Sequence, residues 1–87
     1  MASMKKLYIG RIKLSKKDSE EWYGNPPFIY VTPKGRRTHL TTEAFFENKE
    51  ECETNLKYSF KTHEHSSYGS KMELLKMSIN IDKLTEI

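Results

Sequence analysis

The residue types most suited to chemistry lie in the second half of the chain, where Cys52 precedes a His-Glu-His sequence at positions 63–65. Histidine nitrogens and a cysteine thiolate are zinc ligands, so this combination suggests a metal site. A structural zinc site normally has four ligands in two spaced pairs, and this chain has one cysteine and no second pair. We therefore predict no metal or other cofactor, and we expect residues 63–65 to form a solvated loop.

Cys52 is also the chain's one candidate for a cysteine nucleophile. It belongs to the apolar stripe of a predicted helix, where the simpler role is that of a small buried hydrophobe. The sequence contains no phosphate-binding Gly-rich loop, no dinucleotide-binding fingerprint and no Ser/His/Asp order typical of hydrolases. We predict that the protein is not an enzyme, with a metal- or cysteine-dependent enzyme as the least favoured alternative.

A second group of residues is suited to binding. Residues 20–27, Glu-Glu-Trp-Tyr-Gly-Asn-Pro-Pro, place Trp22 and Tyr23 in a polar loop. Exposed Trp, Tyr and Arg side chains dominate the binding energy of many protein interfaces. Tryptophan also commonly closes one end of a small core, so the sequence leaves two roles open for Trp22, core and contact.

Basic residues form a third group, concentrated in the first half of the chain. Residues 1–40 have nine Lys and Arg against three Asp and Glu, a formal charge of +6, whereas residues 41–87 have six against nine, a charge of −3. The nine cations are Lys5, Lys6, Arg11, Lys13, Lys16, Lys17, Lys34, Arg36 and Arg37. They could contact phosphates while Tyr8 or Tyr30 stacks on bases. Alternatively, charges on edge strands prevent aggregation.

The strand predicted over residues 5–14 has apolar residues on both faces. These are Leu7 and Ile9 on one face, and Ile12 and Leu14 on the other. Gly10 stands between the two pairs, and a β-bulge at this glycine would exchange the faces.

A hairpin is predicted next. Phe28–Thr32 has the composition of a strand, and Thr32-Pro33-Lys34-Gly35 has the proline and glycine positions of a type I turn. Residues 36–40 would then run antiparallel to the preceding strand. The tip would carry the cations Lys34, Arg36 and Arg37.

A helix should begin at Lys49, because Asn48 and Glu51 have the spacing of a helix N-cap and its partner. Its apolar stripe comprises Cys52, Leu56 and Phe60. The helix should end near residues 62–64.

The last predicted strand alternates strictly. Its apolar residues are Leu75, Met77, Ile79 and Ile81, and its polar residues are Lys76, Ser78, Asn80 and Asp82. We expect the apolar set to face the core.

Together these elements predict an α+β fold with a small, mostly antiparallel sheet of order β-β-β-α-β, covered on one face by a single helix. Residues 4–87 form a single domain, and residues 1–3 are interpreted as a cloning remnant. No apolar run approaches the roughly 20 residues of a membrane span, so we expect a cytoplasmic protein that does not act at a membrane.

The sequence Ala-Phe-Phe-Glu-Asn-Lys-Glu-Glu-Cys-Glu-Thr-Asn-Leu, residues 44–56, resembles a short strand running into a capped helix in small uncharacterised α+β accessory proteins of phages and low-GC bacteria. The resemblance covers about half of the chain and implies no role for any particular residue.

The sequence predicts a small non-enzymatic protein-binding module, an accessory or inhibitory factor of phage or mobile-element origin that acts by occupying a partner protein. The predicted binding residues are Trp22, Tyr23, Lys34, Arg36 and Arg37. The alternative is a nucleic-acid-binding module that uses the basic half and the hairpin. We expect a monomer or a small homo-oligomer.

Overall fold

The structure, a computed structural model, describes residues 4–80. Its strands are β1 (Met4–Lys13), β2 (Phe28–Thr32), β3 (Gly35–Arg37), β4 (Phe45–Phe46) and β5 (Lys71–Asn80). Its α-helices are α1 (Lys16–Glu20) and α2 (Lys49–Thr62), and two 3-10 turns span Thr42–Ala44 and His65–Tyr68.

β1 is the central strand of one antiparallel sheet. β5 pairs with it along its whole length, from Met4 opposite Asn80 to Lys13 opposite Lys71. The other edge of β1 is shared by β4 and β2, and β3 pairs with β2. The predicted α+β fold, an antiparallel sheet with one main helix, is therefore confirmed, with β4 as an additional short strand.

The predicted hairpin is also present. The Thr32 hydroxyl donates to the carbonyl oxygen of Gly35 at 2.8 Å and accepts from the backbone N–H of Lys34 at 3.1 Å. These two bonds fix the turn, and Thr32 pairs with Gly35 across it. β3 ends at Arg37, three residues earlier than predicted.

The bounds and packing of α2 agree with the prediction. The Asn48 side chain accepts from the N–H of Glu51 at 3.1 Å and caps the helix at Lys49. Cys52 and Leu56 are buried, and Phe60 packs beside them. α2 has 14 residues, and no helix within residues 4–80 has the length and apolarity needed to cross a membrane.

The core lies between α2 and one face of the sheet. Its buried residues are Ile12, Leu14, Ile29, Val31, Phe46, Cys52 and Leu56.

Gly10 is the point at which α2 approaches β1. A Cβ atom at Gly10 would lie 2.9 Å from Cγ2 of Val31 and 3.2 Å from Sγ of Cys52. Pairing of β1 with β5 runs through this position without interruption, so the predicted bulge is wrong. The glycine gives α2 room instead, and the apolar residues of β1 do lie on two faces.

The predicted core face of β5 is also wrong where the structure describes it. Leu75 pairs with Ile9 and Met77 with Leu7, on the sheet face turned away from α2. Leu74 packs against the core instead. The strand has apolar residues on both faces, so its alternation did not identify the face that α2 covers. The Ile79 side chain and Ile81 lie outside the described part of the chain.

Candidate functional site

The face of the sheet turned away from α2, here called the outer face, carries a group of half-buried and exposed apolar side chains. These are Leu7, Phe28, Tyr30, Phe45, Leu75 and Met77. Met77 is 38% exposed, whereas Ile9 at the centre of the group is buried. Strand alternation places all of them on one side of the sheet, together with the Arg11–Glu73 ion pair.

Several cations of the outer face are paired with carboxylates of the chain itself. Nε of Arg11 lies 2.7 Å from a Glu73 carboxylate oxygen, and the Arg11 guanidinium stacks 4.0 Å from the centre of the Phe28 ring. Lys5 pairs with Glu47. At the hairpin, Nη2 of Arg37 lies 3.5 Å from a Glu43 oxygen. These pairs reduce the positive field of the face.

An aromatic groove of about 450 Å³ borders the outer face. Its wall includes Tyr23, Pro27, Phe28, Tyr30 and Leu40. Tyr23 is fully exposed. The loop that the sequence singled out therefore presents Tyr23, and not Trp22, at this groove.

A second, buried site lies on the α2 side, where α1 meets the segment that follows α2. Oδ2 of Asp18 lies 2.6 Å from Nδ1 of His65 and accepts a 2.5 Å hydrogen bond from the Ser70 hydroxyl. The Ser70 oxygen in turn accepts from the backbone N–H of Ser15, the N-cap of α1, at 3.0 Å. His65 is 1% exposed.

The expectation of a solvated loop at residues 63–65 is therefore wrong for His65. A buried carboxylate needs hydrogen-bond donors, and His65 and Ser70 supply them to Asp18. Asp18 lies 47 residues before His65, so no local pattern could reveal the pair.

Trp22 and Arg36 cover this buried site. The Trp22 ring is half-buried against the core, nearly parallel to the His65 ring, with centroids 6.2 Å apart and planes inclined by 15°. The Arg36 guanidinium carbon lies 4.9 Å from the centre of the Trp22 ring. Trp22 packs against the core cluster and also lines a pocket, so the structure is compatible with both of the roles left open.

The space beside these rings is a pocket of about 320 Å³. Its lining residues are Asp18, Glu21, Trp22, Arg36, His63, His65 and Tyr68.

The five predicted binding residues do not form one surface. Arg36 pairs with Val31 and faces the α2 side, whereas Arg37 pairs with Tyr30 and faces the outer side. Lys34 is exposed in the turn that precedes both arginines. Consecutive strand residues point to opposite faces, so the predicted cationic tip is divided between two sites.

Cys52 is fully buried on the core-facing side of α2, as expected of a small hydrophobe. Burial, with a smaller contribution from Glu53 and Glu51, raises the pKa of its thiol to about 11. A neutral thiol in the core has neither the ionisation nor the access that a nucleophile requires. Among residues 4–80, no three His, Cys, Asp or Glu side chains converge closely enough to hold a metal ion.

Comparison with models of known protein families, with curated proteins and with solved structures gives no match for this chain.

Proposed function

We propose that the protein is a small non-enzymatic module that acts by occupying a partner protein, and that the outer face is its contact surface. The observation that carries the proposal is the group of apolar and aromatic side chains on that face, with the neighbouring cations held in internal ion pairs. Contiguous exposed apolar surface marks interaction sites more often than scattered apolar residues do.

The groove beside the outer face supplies the anchor that such an interface needs. Binding energy usually concentrates in a few aromatic or arginine side chains near the centre of an interface. Tyr23 is fully exposed and lines the groove together with Phe28 and Tyr30. A partner side chain inserted there would be enclosed by aromatic and proline surfaces.

Charge favours a protein over a nucleic acid as the partner. Arg11 and Arg37 would each have to leave a carboxylate before contacting a phosphate. A protein partner with a largely uncharged, apolar surface needs no such exchange. The resemblance to phage and low-GC bacterial accessory proteins favours an inhibitory or accessory role for the complex.

A nucleic-acid-binding module is the second candidate, favoured by one corner of the outer face. Lys13 pairs there with Phe28 on one side and with Lys71 on the other. Aromatic rings beside lysines on a sheet can stack on bases while the ammonium groups contact phosphates.

The test is affinity capture from a bacterial lysate by the wild-type chain and three variants, each first checked for folding by circular dichroism. Tyr23→Ala and Met77→Asp change the proposed interface. Tyr58→Ala is the matched control, because Tyr58 is a 70% exposed aromatic residue on α2, away from the outer face. We expect one partner that wild type and Tyr58→Ala retain and that the two interface variants lose. Equal retention by all four chains contradicts the assigned surface.

The second candidate is tested by titrating single-stranded DNA and RNA at several salt concentrations. Binding that weakens with salt, with a shallower slope in a Lys13→Ala, Lys71→Ala double variant, would favour nucleic acid over protein.

A further inference from the structure

We propose that the pocket between α1, the hairpin and the His65 turn binds an oxyanion, that is, a carboxylate or phosphate group. The pocket lies on the α2 side of the sheet, and the proposal does not depend on the function assigned to the outer face. It rests on two groups at the pocket that have no hydrogen-bond or ion-pair partner among residues 4–80: the Arg36 guanidinium, which is a donor, and the Nε2 atom of His65.

The first donor group is the Arg36 guanidinium. Arg11 and Arg37 each contact a carboxylate, but no carboxylate of residues 4–80 lies within 4 Å of the Arg36 nitrogens. The Arg36 guanidinium carbon lies 4.9 Å from the centre of the Trp22 ring at the pocket, and the guanidinium N–H groups donate to no group among residues 4–80. A planar guanidinium matches carboxylate and phosphate oxygens through two parallel hydrogen bonds.

The second group is the ring of His65. Its Nδ1 faces the Asp18 carboxylate, so Nδ1 carries a proton. Its Nε2 is one of only two buried side-chain polar atoms within residues 4–80 that lack a hydrogen-bond partner, and such atoms are rare. Nε2 of the neutral ring is an acceptor, and it donates to an oxygen only when the ring carries a second proton.

The remaining lining residues carry charges of both signs. Burial, followed by the charges of Arg36 and His65, lowers the pKa of His63. Nζ of Lys17 lies 5.5 Å from the centre of the ring of Tyr68, which lines the pocket. Asp18 is already engaged by His65 and Ser70. Glu21 is the exposed exception, and its carboxylate opposes a bound anion.

The oxyanion could be a free phosphate or carboxylate, or the same group on a larger molecule. The shared chemistry is a planar or tetrahedral set of oxygens that accepts from Arg36 and His65. Inorganic phosphate and acetate are therefore the probes, each titrated against sodium chloride at matched ionic strength.

The experiment uses the full chain labelled with ¹⁵N. The readouts are the His65 imidazole nitrogen shifts and the fluorescence of Trp22, the chain's single tryptophan. We expect a saturable response at both residues to phosphate, to acetate or to both. Saturation by acetate assigns a carboxylate site, and saturation by phosphate alone assigns a phosphate site.

Three variants complete the test. Arg36→Gln should lower the affinity for the anion at least tenfold, and Glu21→Gln should raise it about twofold or more. Lys34→Gln, at the exposed turn, should leave the affinity unchanged. The proposal is overturned if wild type responds to neither probe beyond chloride, or if folded Arg36→Gln binds as wild type does. If Arg36→Gln does not fold, the wild-type titration and the Glu21→Gln variant decide the outcome.

Discussion

The two faces of the sheet are built from the same strands but differ in burial. On β1, Gly10 and Ile12 face α2, whereas Leu7 and Ile9 face outward. Ile12 has no exposed surface beneath the helix, while Leu7 is half-buried. Apolar residues occur on both faces of β1, so their alternation does not show which face α2 covers. Gly10 shows it, because its lack of a side chain allows α2 to approach the strand.

The covered face should carry most of the stability, and the outer face should carry binding. Removing apolar area from water contributes roughly 25 cal/mol per Å², so fully buried residues contribute more than half-exposed ones. Substitutions on the two faces can separate these roles.

Ile12→Asp should have the largest effect. It places a carboxylate at a position with no exposed surface, among apolar residues that offer no donor, and should unfold the domain. Met77→Asp, on the outer face, should shift the free energy of unfolding by about 1 kcal/mol or less. Urea denaturation followed by circular dichroism measures both. A similar loss of unfolding free energy in the two variants would show that the two faces contribute equally to stability.

Gly10→Ala tests the close contact that defines the covered face. A methyl group 2.9 Å from Val31 should force α2 and β2 apart and cost about 1 to 3 kcal/mol. Val31→Ala removes the atom that this methyl group would meet. The double variant should therefore be more stable than the sum of the single effects predicts. Additive effects in urea denaturation would show that the added methyl group does not meet the Val31 side chain.

The pH dependence of stability tests the burial of the Cys52 thiol on the covered face. The pKa of Cys52 is raised from 9.0 to about 11, so the unfolded chain loses the thiol proton first as pH rises. Between pH 9 and 11 the folded state binds more protons, and this group should lower stability by up to about 1.4 kcal/mol per pH unit. Below pH 9 the thiol is protonated in both states, and the stabilisation that comes from its raised pKa is fully present. The measurement is the difference in unfolding free energy between wild type and Cys52→Ala over this range, and a constant difference would show an accessible thiol.

Asn48→Ala should have the smallest effect, about 1 kcal/mol, through loss of the hydrogen bond that caps α2. Asn48→Asp is the matched control, because its carboxylate can accept the same N–H of Glu51. Thermal unfolding distinguishes the two. Equal melting temperatures for Asn48→Ala and wild type would show that packing alone positions the helix.

Features set by neighbouring residues were predictable from the sequence. The Thr32 to Gly35 turn and the Asn48 cap depend on residues within three positions of each other, and both were predicted correctly. The α+β class followed because the resulting elements have few ways to bury their apolar faces.

Features set by pairing between distant segments were not predictable in the same way. The outer position of Leu75 depends on its register with Ile9, and the burial of His65 depends on Asp18. Arg36 and Arg37 were grouped as one cationic tip because they are adjacent in sequence. Their separation depends on the register of β3 against β2, which fixes the face of each residue.

The pairing of β1 with β5 has a consequence for how the chain folds. One entire edge of the central strand β1 pairs with β5, which lies about 60 to 75 residues later in the chain: Lys13 is opposite Lys71, and Met4 is opposite Asn80. Domains dominated by such distant contacts fold more slowly than helical domains of similar size, because loop-closure entropy must be overcome before the pairs form. During synthesis, this edge of β1 therefore stays unpaired until β5 has left the ribosome.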